Sequence, residues 1–138
     1  MLRGKKSGFT LVEILLVVVI IGALSAMIIP RLTGRSEQAK VVAAQADINS
    51  HIATALKLYE LDNGFFPPTT QGLTALSEKP TTSPLPQNWN GPYIDRDPID
   101  PWGNSYEYVA PGRRRPDYDL SSKGKKLDSA EDDIANWK

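Results

Sequence analysis

In this 138-residue sequence the sharpest chemical demand comes from Glu13, the one charge in the apolar run from Phe9 to Ile29. An ionised carboxylate in hydrocarbon costs about 2.5–3.5 kcal/mol even on lenient insertion scales, so Glu13 needs a cationic partner. Cleavage between Gly8 and Phe9 would create one, an amino group on Phe9 four residues from Glu13. Such an amine and carboxylate, each costly alone in lipid, would neutralise one another.

Little else in the composition supports chemistry. There is no cysteine and a single histidine, His51, which excludes disulfides, thiol nucleophiles and two-histidine metal sites. Lys and Arg total 16 against 16 Asp and Glu, without the basic excess that phosphate backbones require, so no nucleic acid is expected as a partner. No nucleophile–base constellation, phosphate loop or dinucleotide fingerprint is present, and the chain reads as a non-enzyme. His51 lies beside an apolar stripe and is assigned no chemistry.

The elements that position Glu13 follow from hydropathy. Residues 1–8 carry Arg3, Lys5 and Lys6 with no acid, and the 21 residues from Phe9 to Ile29 form a helix of roughly 30 Å, enough to cross a bilayer once. The basic leader then stays cytoplasmic and the chain after Pro30 lies on the other side. A plain anchor and a signal peptide cut near Ala23-Leu24-Ser25 are the ordinary readings of such a run, and Glu13 argues against both.

From Ser36 to Leu61 the apolar residues Val41, Ala44, Ile48, Ile52, Ala55 and Tyr59 recur at steps of three and four, which predicts an amphipathic continuation of the helix. Asp62-Asn63-Gly64 and Pro67-Pro68 end it, for a total of about 50 residues, or roughly 75–80 Å. Pro30, with Gly34 close behind, predicts a kink or local unwinding between the halves. Beyond Phe65 a brief helix capped by Thr70 is expected over Gln71–Leu76, then a proline-rich connection. Strands are expected over Ser105–Val109, Asp117–Ser121 and near Tyr93-Ile94. The fold class is α+β: a long N-terminal helix, transmembrane in its first half and amphipathic in its second, packed on a small antiparallel sheet. Trp89, Tyr93, Trp102, Tyr106 and Trp137 are read as core or clamp residues.

The junction Lys5-Lys6-Ser7-Gly8-Phe9-Thr10-Leu11-Val12-Glu13-Ile14 resembles the class III signal of type IV pilins and type II secretion pseudopilins. That resemblance implies that a prepilin peptidase cuts after Gly8, that the new Phe9 is N-methylated, and that its amine pairs with Glu13 within one subunit or between an incoming subunit and its neighbour, a charge pair that would set axial register. It implies three parts: a leader over 1–8, a transmembrane and filament-core helix over 9–30, and a periplasmic domain over 31–138. It also gives Pro30 two readings, an ordinary kink or a segment that melts when the subunit enters a fibre.

The later motifs Thr70-Gln71-Gly72-Leu73, Gly91-Pro92-Tyr93, Asp100-Pro101-Trp102-Gly103-Asn104, Tyr118-Asp119-Leu120 and Asp132-Asp133-Ile134-Ala135-Asn136-Trp137 occur in an order similar to the major pseudopilins of type II secretion. The resemblance implies a subunit that polymerises with itself. Its partners would be minor pseudopilins, an inner-membrane assembly platform and the prepilin peptidase, in a periplasmic filament that helps export folded proteins. The rival readings are another pilin-like filament, of a type IV pilus or DNA-uptake system, and an anchored calcium-binding module that never polymerises. A common type IV pilin is expected to close its C-terminal region with a disulfide, which this chain has no cysteine to make.

Major pseudopilins hold one calcium in the loop that corresponds to Ser122–Asp133. By resemblance Asp128, Asp132 and Asp133 are the candidate ligands. Where relatives carry an aspartate and a glycine, this chain has Lys125 and Lys126. Either Asp128 restores the site, or one of those lysines forms the charge pair that the ion makes elsewhere. Arg113-Arg114-Arg115 is read as a solvated turn or as one side of a salt bridge between subunits.

Overall fold

The computed structural model describes residues 8–138. Helix α1 runs Leu11–Ala46, a π-helical turn covers Asp47–His51, and α2 runs Ile52–Asn63. A short α3 at Thr74–Ser77 precedes strands β1 (Glu107–Val109), β2 (Asp119–Ser122) and β3 (Ile134–Ala135), with a 3₁₀ turn at Ala130–Asp132 before the last. Internal packing divides the chain after Gln38, inside α1, and the two units are described separately.

In the first unit Leu11–Ile28 is a helix long and apolar enough to cross a membrane, and none of it is buried by the chain itself. Leu11 is 87% exposed and Met27 71%. Helix α1 continues through Pro30. The unwinding expected there is absent from this structure, since one proline removes a single amide donor and a helix can carry that loss.

The second unit, Ala39–Lys138, has its own core. Ala44, Ile48, Ile52, Ala55, Leu56 and Tyr59 are buried along one helical face, and Val41 packs partly against them. Each large apolar side chain so buried contributes about 1.5–3 kcal/mol. The π-turn was not expected from the sequence. Ala44, Ile48 and Ile52 follow one another at two successive steps of four, which a wider turn keeps on one face better than 3.6 residues per turn. Its closing bond runs from Ile52 N–H to the Asp47 carbonyl. Helix α2 ends where predicted: Gly64 takes a left-handed φ of 83° and its N–H reaches the Glu60 carbonyl at 2.7 Å.

The sheet is antiparallel with β2 in the centre, Tyr108 opposite Leu120 and Ser122 opposite Ile134. Tyr106, Tyr108, Leu120 and Ile134 belong to the core that covers the amphipathic helix. The expected strand near Tyr93-Ile94 is not in the sheet, and Ile134–Ala135 takes the third place. The amides of Tyr93 and Ile94 instead donate to the Leu76 carbonyl at the end of α3, at 2.7 and 3.3 Å. Pro92 and Pro98 leave that stretch short of ladder donors. The short helix also begins later than predicted, with Leu73 rather than Thr70 preceding it and no side-chain cap, because residues 69–73 form a turn closed on the Pro68 carbonyl.

Candidate assembly site and terminal loop

Gly8, Phe9 and Thr10 lead into α1 as exposed, non-helical residues, so the Gly8–Phe9 bond is accessible. Thr10 and Glu13 then bond reciprocally. The Glu13 N–H donates to Thr10 Oγ1 at 3.2 Å, and the Thr10 N–H to Glu13 Oε2 at 3.5 Å, the outer limit of such a bond. This is a capping box, which satisfies helix-start donors and sets an acidic group against the positive end of the helix. Thr10-x-x-Glu13 ahead of an apolar run is the sequence signature of that box, a local signal that the charge of Glu13 overshadows. Glu13 therefore has a local role beside the one its charge suggests.

In the second unit Asp47 links the π-turn to the sheet side. The Tyr106 hydroxyl donates to Asp47 Oδ2 at 2.7 Å, and His51 Nδ1 lies 2.8 Å from Asp47 Oδ1. Burial first, and then the Asp47 bond, push the Tyr106 phenol far above its ordinary value. His51 itself is exposed.

The arginine turn is organised by a carboxylate. Asp119 accepts the backbone N–H groups of Arg113, Arg114 and Arg115 at 2.8–3.2 Å. Burial pushes its carboxyl up, but the three amide bonds outweigh that and hold it below the usual range. The side chain of Arg115 pairs with Asp117 at 3.0 Å and reaches the Asn136 carbonyl at 3.2 Å. Arg114 lies over the Trp137 ring, 5.1 Å from its centroid. Two of the three arginines thus spend their charge within the chain.

The terminal loop starts from a buried polar anchor. Asp100, 4% exposed, accepts from the amides of Trp102 and Asn104 and, at 2.7 Å, from the Ser122 hydroxyl. Ser122 Oγ in turn accepts the Gly124 N–H at 3.0 Å. Gly124 has φ +64° and passes so close to the other arm of the loop that a Cβ would stand 2.5 Å from the Asp132 carbonyl oxygen. Asp128 is exposed, whereas Asp132 and Asp133 are half-buried. Among the described residues no three carboxylate or imidazole side chains converge as a metal-holding group. Lys125 and Lys126 are exposed, and the ion pair at the loop's edge is made by Lys123 on Glu107, at 3.2 Å. The carbonyls of Asp133 and Ala130 receive the Lys138 ammonium, at 2.8 and 3.4 Å. No local motif in the sequence marks Lys138 for this contact.

An uncovered apolar helix that leads into an amphipathic helix wrapped by a small antiparallel sheet, behind a capped Gly-Phe-Thr-x-x-Glu junction, defines the pilin-like class. Residues 3–29 match the prokaryotic N-terminal methylation motif, and residues 31–137 match protein G of the type II secretion system. The chain belongs to the type II secretion system protein G family. It is 50% identical to the type II secretion system core protein G of Pseudomonas aeruginosa, over 99% of both chains. It is 47% identical to that of Escherichia coli K12, over 96% of this chain and 92% of the relative. The crystal structure of the major pseudopilin from the type 2 secretion system of enterohaemorrhagic Escherichia coli superposes with a TM-score of 0.67 at 39% identity, covering 78% of this chain and 95% of that one.

Proposed function

We propose that this chain is the repeating subunit of a type II secretion pseudopilus. A prepilin peptidase removes residues 1–8, and Phe9 becomes the N-methylated first residue. The helix over 9–30 holds the waiting subunit in the inner membrane as a single pass, with 31–138 in the periplasm. Subunits then leave the bilayer and bury these helices against one another, joined by minor pseudopilins and driven from an inner-membrane platform. Glu13 meets the Phe9 amine in the assembled fibre, and growth of the fibre helps move folded proteins across the outer membrane. No catalysis is required of the subunit.

The observation that carries this reading is the helix Leu11–Ile28, whose one charged residue is Glu13 and which nothing among the described residues covers. Such a surface requires lipid or copies of itself. Intact mass of the protein purified from membranes is the test: a chain that begins at Phe9 and carries one added methyl group is expected, and a chain that begins elsewhere overturns the reading.

A further inference from the structure

We propose that the Lys138 ammonium is the resident cation of the terminal loop, so that order in Ser122–Asp133 does not depend on a divalent metal. The two arms of this loop come close where Gly124 meets Asp132, and each arm is tied down separately. The first arm is tied by the chain Gly124 N–H to Ser122 Oγ to Asp100. The second arm turns through Ala130–Asp132 with Ser129 Oγ accepting the Glu131 N–H, and Lys138 donates to the Ala130 carbonyl at its start and the Asp133 carbonyl just after it. An ammonium supplies several donors to carbonyl oxygens, whose lone pairs would otherwise ligate a metal ion.

Charge supports the same assignment. The loop and its closing residue carry Lys123, Lys125, Lys126 and Lys138 against Asp128, Glu131, Asp132 and Asp133, four of each sign. Calcium sites draw affinity from an excess of carboxylates gathered on the ion. Here the carboxylates do not gather, and one of them, Asp128, is exposed. Lys125 and Lys126, the residues that replace an acid-bearing pattern, lower the loop's affinity for a cation without filling its place. Lys138 instead donates to two carbonyls of the second arm, those of Ala130 and Asp133.

The test is hydrogen exchange across residues 123–133, with thermal unfolding, on the full chain in detergent micelles with excess calcium or with chelator. Identical exchange and identical Tm in both media are expected for the unaltered chain. Lys138→Met is expected to speed exchange in 123–133 roughly fivefold or more, while Lys138→Arg, which keeps the charge, stays near the parent. Slower exchange or a higher Tm with calcium in the unaltered chain would overturn the proposal, as would parental exchange in Lys138→Met. If the Met variant does not fold, the comparison of calcium with chelator on the unaltered chain decides alone.

Discussion

Thr10 and Glu13 cap the start of α1 reciprocally, each backbone N–H donating to the other's side-chain oxygen at 3.5 and 3.2 Å. Cleavage between Gly8 and Phe9 leaves this arrangement intact, because Thr10 keeps its peptide N–H. The carboxylate that is proposed to meet an amine in the fibre is thus already oriented beside the residue that would bear that amine. Cap and charge make separable demands on position 13.

Glutamine separates them. Glu13→Gln keeps a capping-box side chain but not the charge, and Thr10→Ala removes the cap, at about 1 kcal/mol of helix stability, but keeps the charge. Filaments counted by electron microscopy of cells that overproduce the subunit are expected with Thr10→Ala and to be lost with Glu13→Gln and Glu13→Lys. Filaments from the Gln variant would mean that the cap, not the ion pair, is what assembly needs.

The link between Tyr106 and Asp47 joins the sheet side to the π-turn, and its loss takes one hydrogen bond from the carboxylate. Tyr106→Phe removes this bond while Asp47 keeps His51, and is expected to lower unfolding stability by about 0.5–1.5 kcal/mol. Denaturant unfolding of the full chain in micelles, followed by tryptophan fluorescence, measures it. Asp47→Asn, which keeps an acceptor for the tyrosine, is expected to cost less than Tyr106→Phe. Equal costs would show that charge rather than the hydrogen bond matters there.

Gly124→Ala places a Cβ on a residue with φ +64° and within 2.5 Å of a backbone oxygen that cannot swing away. A loss of about 1–3 kcal/mol is expected, with faster exchange confined at first to residues 123–133. Gly64→Ala shares the positive φ but has open space around its Cβ, and is expected to cost only about 1 kcal/mol. The difference between the two variants isolates the close approach from the strain of the backbone.

Helix, stop signal and processing motif were legible because each depends on neighbours in sequence: apolar steps of three and four, Gly64 before Pro67, Gly8-Phe9 before Glu13. What escaped depends on distant partners. Ile134–Ala135 is too short to show a strand period, and it joins the sheet because β2 offers it an edge. The proline-rich stretch is held by bonds such as Trp89 Nε1–H to the Ala75 carbonyl at 3.0 Å, the Tyr93 hydroxyl to Asp62 at 2.7 Å, and the Tyr108 hydroxyl to the Pro67 carbonyl at 2.7 Å. No periodicity announces those. In the terminal loop Lys125 and Lys126 draw the eye because they stand where the resemblance implies an acid, while Lys138 reaches the loop only after β3 has turned the chain back.

Asp119 makes the acid limit of the second unit predictable. Its carboxyl is held below the ordinary range by the amides of Arg113, Arg114 and Arg115, and that of Asp117 is lowered first by its bond to Arg115. A depressed folded value means that the stabilisation is fully present above the unfolded value, about 3.9, and is lost as pH falls through the folded one. Tm measured from pH 7 down to about 2.5 is therefore expected to hold nearly level and then drop below about pH 4. Asp119→Asn is expected to melt lower at neutral pH, and its gap from the parent to close in the acid limb. Gly112→Ala attacks the same turn without changing a charge, since its Cβ would stand 2.3 Å from the Arg115 carbonyl oxygen and 2.8 Å from Asp119 Oδ1. It too is expected to lower Tm at pH 7. A gap between Asp119→Asn and the parent that persists unchanged to pH 2.5 would show that the carboxylate's charge contributes nothing to holding the turn.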